Sequence, residues 1–296
     1  MKETLELRVD ARHASRLFAD DEGTALGEWV RKVVLSTSDS RLPQIAALDR
    51  ELRAQVPRHT LFGGWYYRRR YSRAEIAAAP LLTLSIGHSA HLSGDVAGTI
   101  YDSVSACPVC GAGRRRLSPL RLHLGKLPRL KDIVRSGSDE CIVSASFVEA
   151  CERFGARGVA FSPVEFRRTP RGGVPAWYEM SSTAPPLSMS PDTICASGPF
   201  PDAKRDSSSV CPLGDTIGHA RITEVRLAAS RAPDADVIWT REYLGSVMGL
   251  FTPHRELLIS NRLYRALAAA GIRGLGIEIA RLRESRTLGD RIVEGG

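Results

Sequence analysis

Apolar and polar residues alternate near the start of the chain, where Leu5, Leu7 and Val9 are separated by polar residues. A period of two is typical of a half-buried strand. Residues 42–56 instead carry apolar side chains at helical spacing, which predicts an amphipathic helix. These patterns predict a smaller N-terminal α+β domain over residues 1–100.

Further elements follow in the same region. The aromatic-rich run 65–71 predicts a strand. Ser72 and Glu75 form the pattern of a capping box, so a short helix is expected to begin there. Alternating apolar residues over 82–86 predict another strand after that helix.

Two segments of the chain resemble each other at an offset of 116 residues, namely 140–161 and 256–277. Identical residues recur at matching places, and apolar residues match between them. The identical pairs are Glu140/Glu256, Ser144/Ser260, Ala150/Ala266, Gly155/Gly271, Arg157/Arg273 and Gly158/Gly274. A match of this length indicates an internal repeat.

Each copy has the pattern of a strand, a helix and a second strand. Ser144 and Ser260 are expected to cap the helix N-termini by accepting a backbone hydrogen bond. Gly155 and Gly271 are expected just beyond the helix ends, where a left-handed backbone ends a helix at low cost. The pattern therefore predicts an α+β fold with duplicated β-α-β units.

These units divide the rest of the chain. We expect a duplicated, zinc-stapled α+β module over residues 101–282, with repeat units at about 107–165 and 211–280. The Pro-, Gly- and Ser-rich stretch 170–210 has the composition of a linker. The charged stretch 283–296, which ends in Gly-Gly, is predicted to be a frayed tail.

The strongest chemical motif is Cys107-Pro-Val-Cys110-Gly111, which has the form of a zinc knuckle. Two thiolates fill half of a tetrahedral zinc site. Cys211 begins a similar sequence in the second unit, Cys211-Pro-Leu-Gly-Asp215, and is the best third ligand. We predict a structural zinc site formed by Cys107, Cys110, Cys211 and His219, with Asp215 and Cys195 as the alternatives to His219.

A redox pair is the competing interpretation of the two neighbouring cysteines. Such a pair requires a helix N-terminus to lower a thiol pKa. The sequence after Cys110 is Gly-Ala-Gly followed by three arginines, which is a poor helix start. Cys141 and Cys151 fall at apolar positions of the first repeat, so we expect them to pack in a core.

The chain is basic, with a net charge of +8 and a pI of about 9.4. All but five of its 41 basic residues are arginines, and they are spread along the chain apart from clusters at 68–70 and 114–116. A basic surface beside a knuckle would suit a zinc-ribbon nucleic-acid-binding protein. This is the alternative function.

No stretch of the sequence is long and apolar enough for a membrane span, and the N-terminus lacks the apolar core of a signal peptide. We therefore expect a cytoplasmic protein. The sequence also lacks a recognisable nucleophile elbow, phosphate-binding loop or His-Glu-x-x-His motif. We predict that it is not an enzyme, while an enzyme of unfamiliar type would require a polar pocket with convergent titratable groups.

Over roughly residues 98–280 the chain resembles the bacterial double-CxxCG immunity proteins of polymorphic toxin systems, and a related immunity family with a recurring β-α-β element. The resemblance depends on three segments. They are Cys107-Pro-Val-Cys-Gly111, Asp139-Glu-Cys-Ile-Val-Ser-Ala-Ser-Phe-Val-Glu-Ala150 and Gly155-Ala-Arg-Gly-Val-Ala-Phe-Ser-Pro-Val164. The second cysteine pair of the double motif is reduced here to Cys211-Pro-Leu-Gly-Asp215.

The resemblance implies a non-catalytic protein-binding module that neutralises a toxin by covering it. The expected partner is then a protein, a cognate toxin, and nucleic acid is the less favoured partner.

Overall fold

The computed structural model shows a mixed α+β fold, as predicted from the sequence. It describes residues 1–55, 61–89, 92–127, 130–167, 176–201, 210–211, 213–217, 220–247 and 249–283. Six α-helices lie within these ranges: α1 (Ala11–Ala14), α2 (Leu42–Gln55), α3 (Arg73–Ala78), α4 (Gly94–Ala97), α5 (Ala145–Phe154) and α6 (Asn261–Ala269). None of them combines the length and the apolar character that a membrane span requires.

The first sheet, here the N-terminal sheet, is antiparallel with the order β2-β3-β1-β4. Its strands are β1 (Lys2–Asp10), β2 (Thr24–Ala25), β3 (Val30–Ser36) and β4 (Phe62–Arg70). Leu5, Leu7 and Val9 of β1 are fully buried and share a core with the apolar residues of α2. The predicted strands and helix are therefore confirmed, because the alternating residues of β1 all face α2.

The capping box is also confirmed. The Ser72 hydroxyl accepts a hydrogen bond from the Glu75 amide at 3.2 Å, and the Glu75 carboxylate accepts one from the Ser72 amide at 2.7 Å. The predicted strand that follows is β5 (Leu81–Ser85). It does not join the N-terminal sheet.

Two larger sheets, here the first and second module sheets, contain the two matching segments. The first has the order β12-β14-β11-β10-β6 and the second β16-β18-β19-β5-β20. The strands of the first are β6 (His88–Ser89), β10 (Ile133–Ser136), β11 (Cys141–Ser144), β12 (Val159–Pro163) and β14 (Trp177–Ser182). Those of the second, besides β5, are β16 (Thr216–Ile217), β18 (Val237–Gly245), β19 (His254–Ser260) and β20 (Gly276–Ala280).

Short strand pairs complete the described structure. They are β7 (Tyr101–Asp102) with β8 (Arg115–Arg116), β9 (Arg121–Leu122) with β13 (Glu165–Phe166), and β15 (Cys195–Ala196) with β17 (Ala220–Arg221).

The strand, helix, strand order occurs in both matching segments, as predicted. The hydroxyls of Ser144 and Ser260 accept from the amides three residues on, at 3.3 and 3.1 Å. Gly155 and Gly271 have φ values of 71° and 73° just after helices α5 and α6. The caps and stops read from the sequence are therefore present in the fold.

The two strands of each segment are not neighbours in their sheet. β14 lies between β11 and β12, and β5 lies between β19 and β20. The module sheets thus include β5, from the region 1–100 predicted as the N-terminal domain. They also include β14, from the stretch 170–210 predicted as a linker. Met180 of β14 is buried, so this part of the stretch is a core strand.

One apolar core lies between the two module sheets and contains residues from both. Helices α5 and α6 pack against each other over it, with Phe147 and Leu263 fully buried. Burying a large apolar side chain contributes about 2 kcal/mol, so this shared core holds the two module sheets together. We call each module sheet, with the helix of its matching segment, one half of the module.

An aspartate before each hairpin ties one half to the other. Asp132 accepts from the Ser144 hydroxyl in its own half and from the Arg273 amide of the other half at 2.8 Å. Asp236 accepts from the Ser260 hydroxyl and from the Arg157 amide, also at 2.8 Å. The contacts are reciprocal, because each aspartate accepts from the serine of its own segment and from an arginine amide of the other segment.

Candidate metal centre

Three predicted ligands meet in the structure. The sulfur atoms of Cys107, Cys110 and Cys211 all lie within 4.8 Å of one another. The three residues are buried, and we call them the cysteine cluster. Cys107 and Cys110 are more than 100 positions before Cys211 in the chain, so the cluster joins two distant loops.

The first loop is a tight turn that directs two thiols to the same side. The Gly111 amide donates to the Cys107 carbonyl at 2.8 Å, and the Cys107 amide donates to the Ala112 carbonyl at 2.7 Å. The Ala112 amide points at the Cys110 sulfur at 3.4 Å. Gly111 has a φ of +80°, and a Cβ there would lie 2.4 Å from a Val247 methyl, so glycine is required.

The second loop repeats this arrangement with a single cysteine. The Gly214 amide donates to the Cys211 carbonyl at 2.9 Å, and the Leu213 amide points at the Cys211 sulfur at 3.3 Å. The Cys211 amide donates to the Asp215 carbonyl at 2.9 Å. The two loops therefore have the same turn, in which backbone amides point at cysteine sulfur atoms.

Asp215 places a carboxylate beside the thiols. Its Oδ2 atom is 3.4 Å from the Cys211 sulfur and 3.6 Å from the Cys110 sulfur. Its Oδ1 atom accepts from the Tyr243 amide at 3.0 Å, which orients the group. Asp215 is buried, so its carboxylate lies in the same enclosed space as the thiols.

The other two candidates for the fourth ligand are placed differently. Cys195 lies in the short strand β15 and is not part of the cysteine cluster. His219, the predicted fourth ligand, lies outside the described residues. Among the described alternatives, Asp215 is the one that accompanies the three thiols.

The protein environment treats two of the thiols differently. Hydrogen bonds from the amides of Cys110 and Val109 hold the pKa of Cys107 below its usual value. Burial raises the pKa of Cys110 to about 12. The Cys110 thiolate therefore needs a cation to be stable at neutral pH, and metal binding must release its proton.

The donors present fit a borderline-soft divalent ion. Three thiolates and a carboxylate supply the four ligands of a tetrahedral site. Zinc–sulfur bonds of about 2.3 Å need sulfur atoms about 3.8 Å apart, within the separation that the cluster allows. The three cysteines of the cluster can hold a metal ion.

The structure also shows the surroundings of the Cys107–Cys110 pair and of the two core cysteines. The loop after Cys110 leads into strand β8 and starts no helix, so the geometry lacks the helix N-terminus of a redox pair. Cys141 and Cys151 are each 1% exposed in the core between the module sheets, which confirms their predicted packing role.

A cleft of about 270 Å³ opens beside the first knuckle loop. Its walls come from that loop, both module sheets and the hairpins of both halves, so it lies where the halves meet. Titratable side chains converge there, among them Glu140, Glu179 and Arg255. The sequence offers no local signal for this cleft, because its residues come from segments far apart in the chain.

The two arginine clusters are largely engaged in ion pairs. Arg68 contacts Glu6 and Arg69 contacts Glu3 in the N-terminal sheet. In the second cluster, the three arginines at 114–116 contact Asp95, Asp102 and Glu179. A phosphate backbone would have to compete with these carboxylates, which weakens the case for nucleic-acid binding.

Comparisons with models of known protein families and with curated proteins found no match to this chain.

Proposed function

We propose that this chain is a non-catalytic protein-binding module held together by a structural zinc ion. The observation that carries the proposal is the meeting of Cys107, Cys110 and Cys211, with the Asp215 carboxylate beside Cys110 and Cys211. A closed site with four protein ligands leaves no open position for a substrate, so its contribution is to folding.

The module itself consists, in this proposal, of two copies of one β-α-β unit. The reciprocal bonds of Asp132 and Asp236 support this interpretation. The matching strand order of the two sheets also supports it, because β5 and β14 occupy equivalent places. In this proposal, two sheets that share one core and are linked by a metal form a rigid body. A rigid surface binds a protein partner with little loss of conformational entropy.

The partner we propose is a cognate toxin, on the resemblance of the knuckle and the β-α-β element to immunity proteins. The test is coexpression with the product of the adjacent gene. We expect co-purification as a stoichiometric complex and relief of that protein's toxicity. Cys211→Ser should lose this protection, whereas Cys195→Ser should retain it.

Two results would count against the proposal. One is an adjacent gene product that is not toxic and does not co-purify. The other is protein purified without chelators that contains no zinc, measured by inductively coupled plasma mass spectrometry. The nucleic-acid alternative predicts a gel shift that weakens steeply with salt.

A further inference from the structure

The cleft beside the first knuckle loop contains an arginine without an anionic partner. Arg255 of β19 lines it, and its guanidinium lies over the Trp239 ring at 5.3 Å and the Tyr243 ring at 5.2 Å. Its Nε atom is buried with no hydrogen-bond partner. Among the described residues, no carboxylate lies within ion-pair distance of it. A guanidinium keeps its charge in a protein, so an anion is the partner that this position lacks.

The other cations of the cleft are neutralised. Arg114 pairs with Asp95 at 2.9 Å, and Arg116 pairs with Glu179. Arg135, which lies on the same Trp239 ring as Arg255, contacts Asp139 at 3.2 Å. Among the described residues of the cleft wall, these pairs leave Arg255 as the arginine without an ion-pair partner.

Two acids of the cleft, Asp139 and Glu140, bond to groups other than the Arg255 guanidinium. Glu140 accepts hydrogen bonds from the hydroxyls of Tyr101 and Ser136, and burial raises its pKa. Asp139 accepts the backbone amide of Arg255 at 3.2 Å but not its guanidinium. Burial raises the pKa of Asp139 to about 7, although the charges of Arg135 and Arg255 oppose that shift.

We propose that this cleft binds a carboxylate group on the guanidinium of Arg255. A planar guanidinium binds a planar carboxylate through two parallel hydrogen bonds, and rings on its faces fix its orientation. Thr252, which carries a hydroxyl, also lines the cleft.

Size and charge restrict the ligand. A volume of about 270 Å³ accommodates a small carboxylic acid or one acidic side chain, and is too small for a nucleotide. Phosphate carries close to two negative charges at neutral pH and a carboxylate group carries one, so the acids that line the cleft disfavour phosphate more strongly. The carboxylate has two sources, a free small acid or an acidic residue of a peptide. The site itself does not depend on the proposed function.

Calorimetric titration of the full chain separates these cases. The probes are sodium glutarate, a blocked tetrapeptide with one glutamate, and inorganic phosphate, all at equal ionic strength. We expect saturable binding of glutarate or the peptide, and binding of phosphate at least tenfold weaker. Binding of glutarate alone identifies a free acid, and binding of the peptide alone identifies a protein source. If neither carboxylate binds, or phosphate binds equally well, the proposal is overturned.

Variants assign the binding to Arg255. Arg255→Gln should weaken the affinity for the carboxylate probe at least tenfold, and Thr252→Val should weaken that affinity severalfold. Arg231→Gln is the matched control, because Arg231 is exposed and outside the cleft. If Arg255→Gln fails to fold, Arg255→Lys keeps the charge but loses the bidentate geometry, and should bind at least fivefold more weakly. Unchanged affinity in a folded Arg255 variant overturns the proposal.

Discussion

The two halves of the module have the same framework but different chemistry. Each half has a hairpin, a helix with a serine cap, and an aspartate that reaches across to the other half. The loop that belongs to the first half carries two cysteines, whereas the loop of the second carries one cysteine and Asp215. The two halves therefore contribute different donors to the cysteine cluster and its surroundings.

This difference separates the residues that the packing of the core requires in both halves from the residues that only the binding of a metal would require. Caps, stops and apolar faces must be the same in both halves, because both helices pack on one core. Metal ligation needs only four donors in total, so the halves can share them unequally.

The largest expected effect comes from breaking the centre. Cys211→Ser removes the ligand that the second loop contributes, and we expect metal content to fall to near zero. The free energy of unfolding should fall by at least about 3 kcal/mol, because structural metal binding contributes directly to folding. Urea unfolding with and without a chelator measures this.

Cys195→Ser is the matched control for that experiment. It removes a thiol that lies outside the cluster, so metal content and chelator sensitivity should remain at wild-type values. Loss of metal in this variant would instead make Cys195 the fourth ligand.

Next in size are the two bridging aspartates. Asp236 is fully buried and also contacts Arg262, whereas the Asp132 side chain is 13% exposed. We expect Asp236→Asn to cost about 3 kcal/mol and Asp132→Asn about 1 kcal/mol, since hydrogen bonds to charged groups weaken with exposure. Equal losses in thermal or urea unfolding would contradict the unequal burial.

A histidine in the second half introduces a dependence on pH. Burial lowers the pKa of His254 from 6.5 to about 4; Glu256 opposes this shift, while Arg135 and Arg221 add to it. Between these values the unfolded chain binds a proton that the folded chain does not, so stability falls as the pH decreases from 6.5 to 4. His254→Gln should reduce that fall by about 2 kcal/mol.

Urea unfolding of the wild type and the variant across this range tests the sign. Asp139 in the first half acts in the opposite direction, because its raised pKa makes stability fall as the pH rises toward 7. That contribution is common to both proteins and cancels in the difference between them. Identical pH profiles would show that His254 does not contribute.

The smallest effects concern the glycines where the halves touch. A Cβ on Gly158 would lie 2.8 Å from the Ala235 methyl, and one on Gly274 would lie 3.2 Å from the Lys131 side chain. We expect Gly158→Ala to cost about 2 kcal/mol and Gly274→Ala about 1.5 kcal/mol, because both also have positive φ values.

Gly155→Ala separates the two causes. Gly155 has the same left-handed backbone, but open space surrounds the position of its Cβ. It should therefore lose only about 1 kcal/mol, from backbone strain alone. If all three variants unfold at the same urea concentration, the contacts between the halves make no difference.

Local elements could be read from the sequence because each depends on residues near one another in the chain. The caps at Ser72, Ser144 and Ser260 and the alternation in β1 are of this kind. The three thiols were also predicted correctly as a group, since a knuckle is a local turn and Cys211 begins a related one.

Only the tertiary structure decided how these elements combine. The placement of β5 and β14 in the middle of sheets follows from long-range pairing, which leaves no local pattern in composition. The same is true of the choice of Asp215 over Cys195 beside the thiols and of the position of Arg255 in its cleft, because both depend on contacts between distant segments. Interactions between residues close in the chain thus determined the helices, strands and caps. Burial of one shared core determined how these elements are arranged.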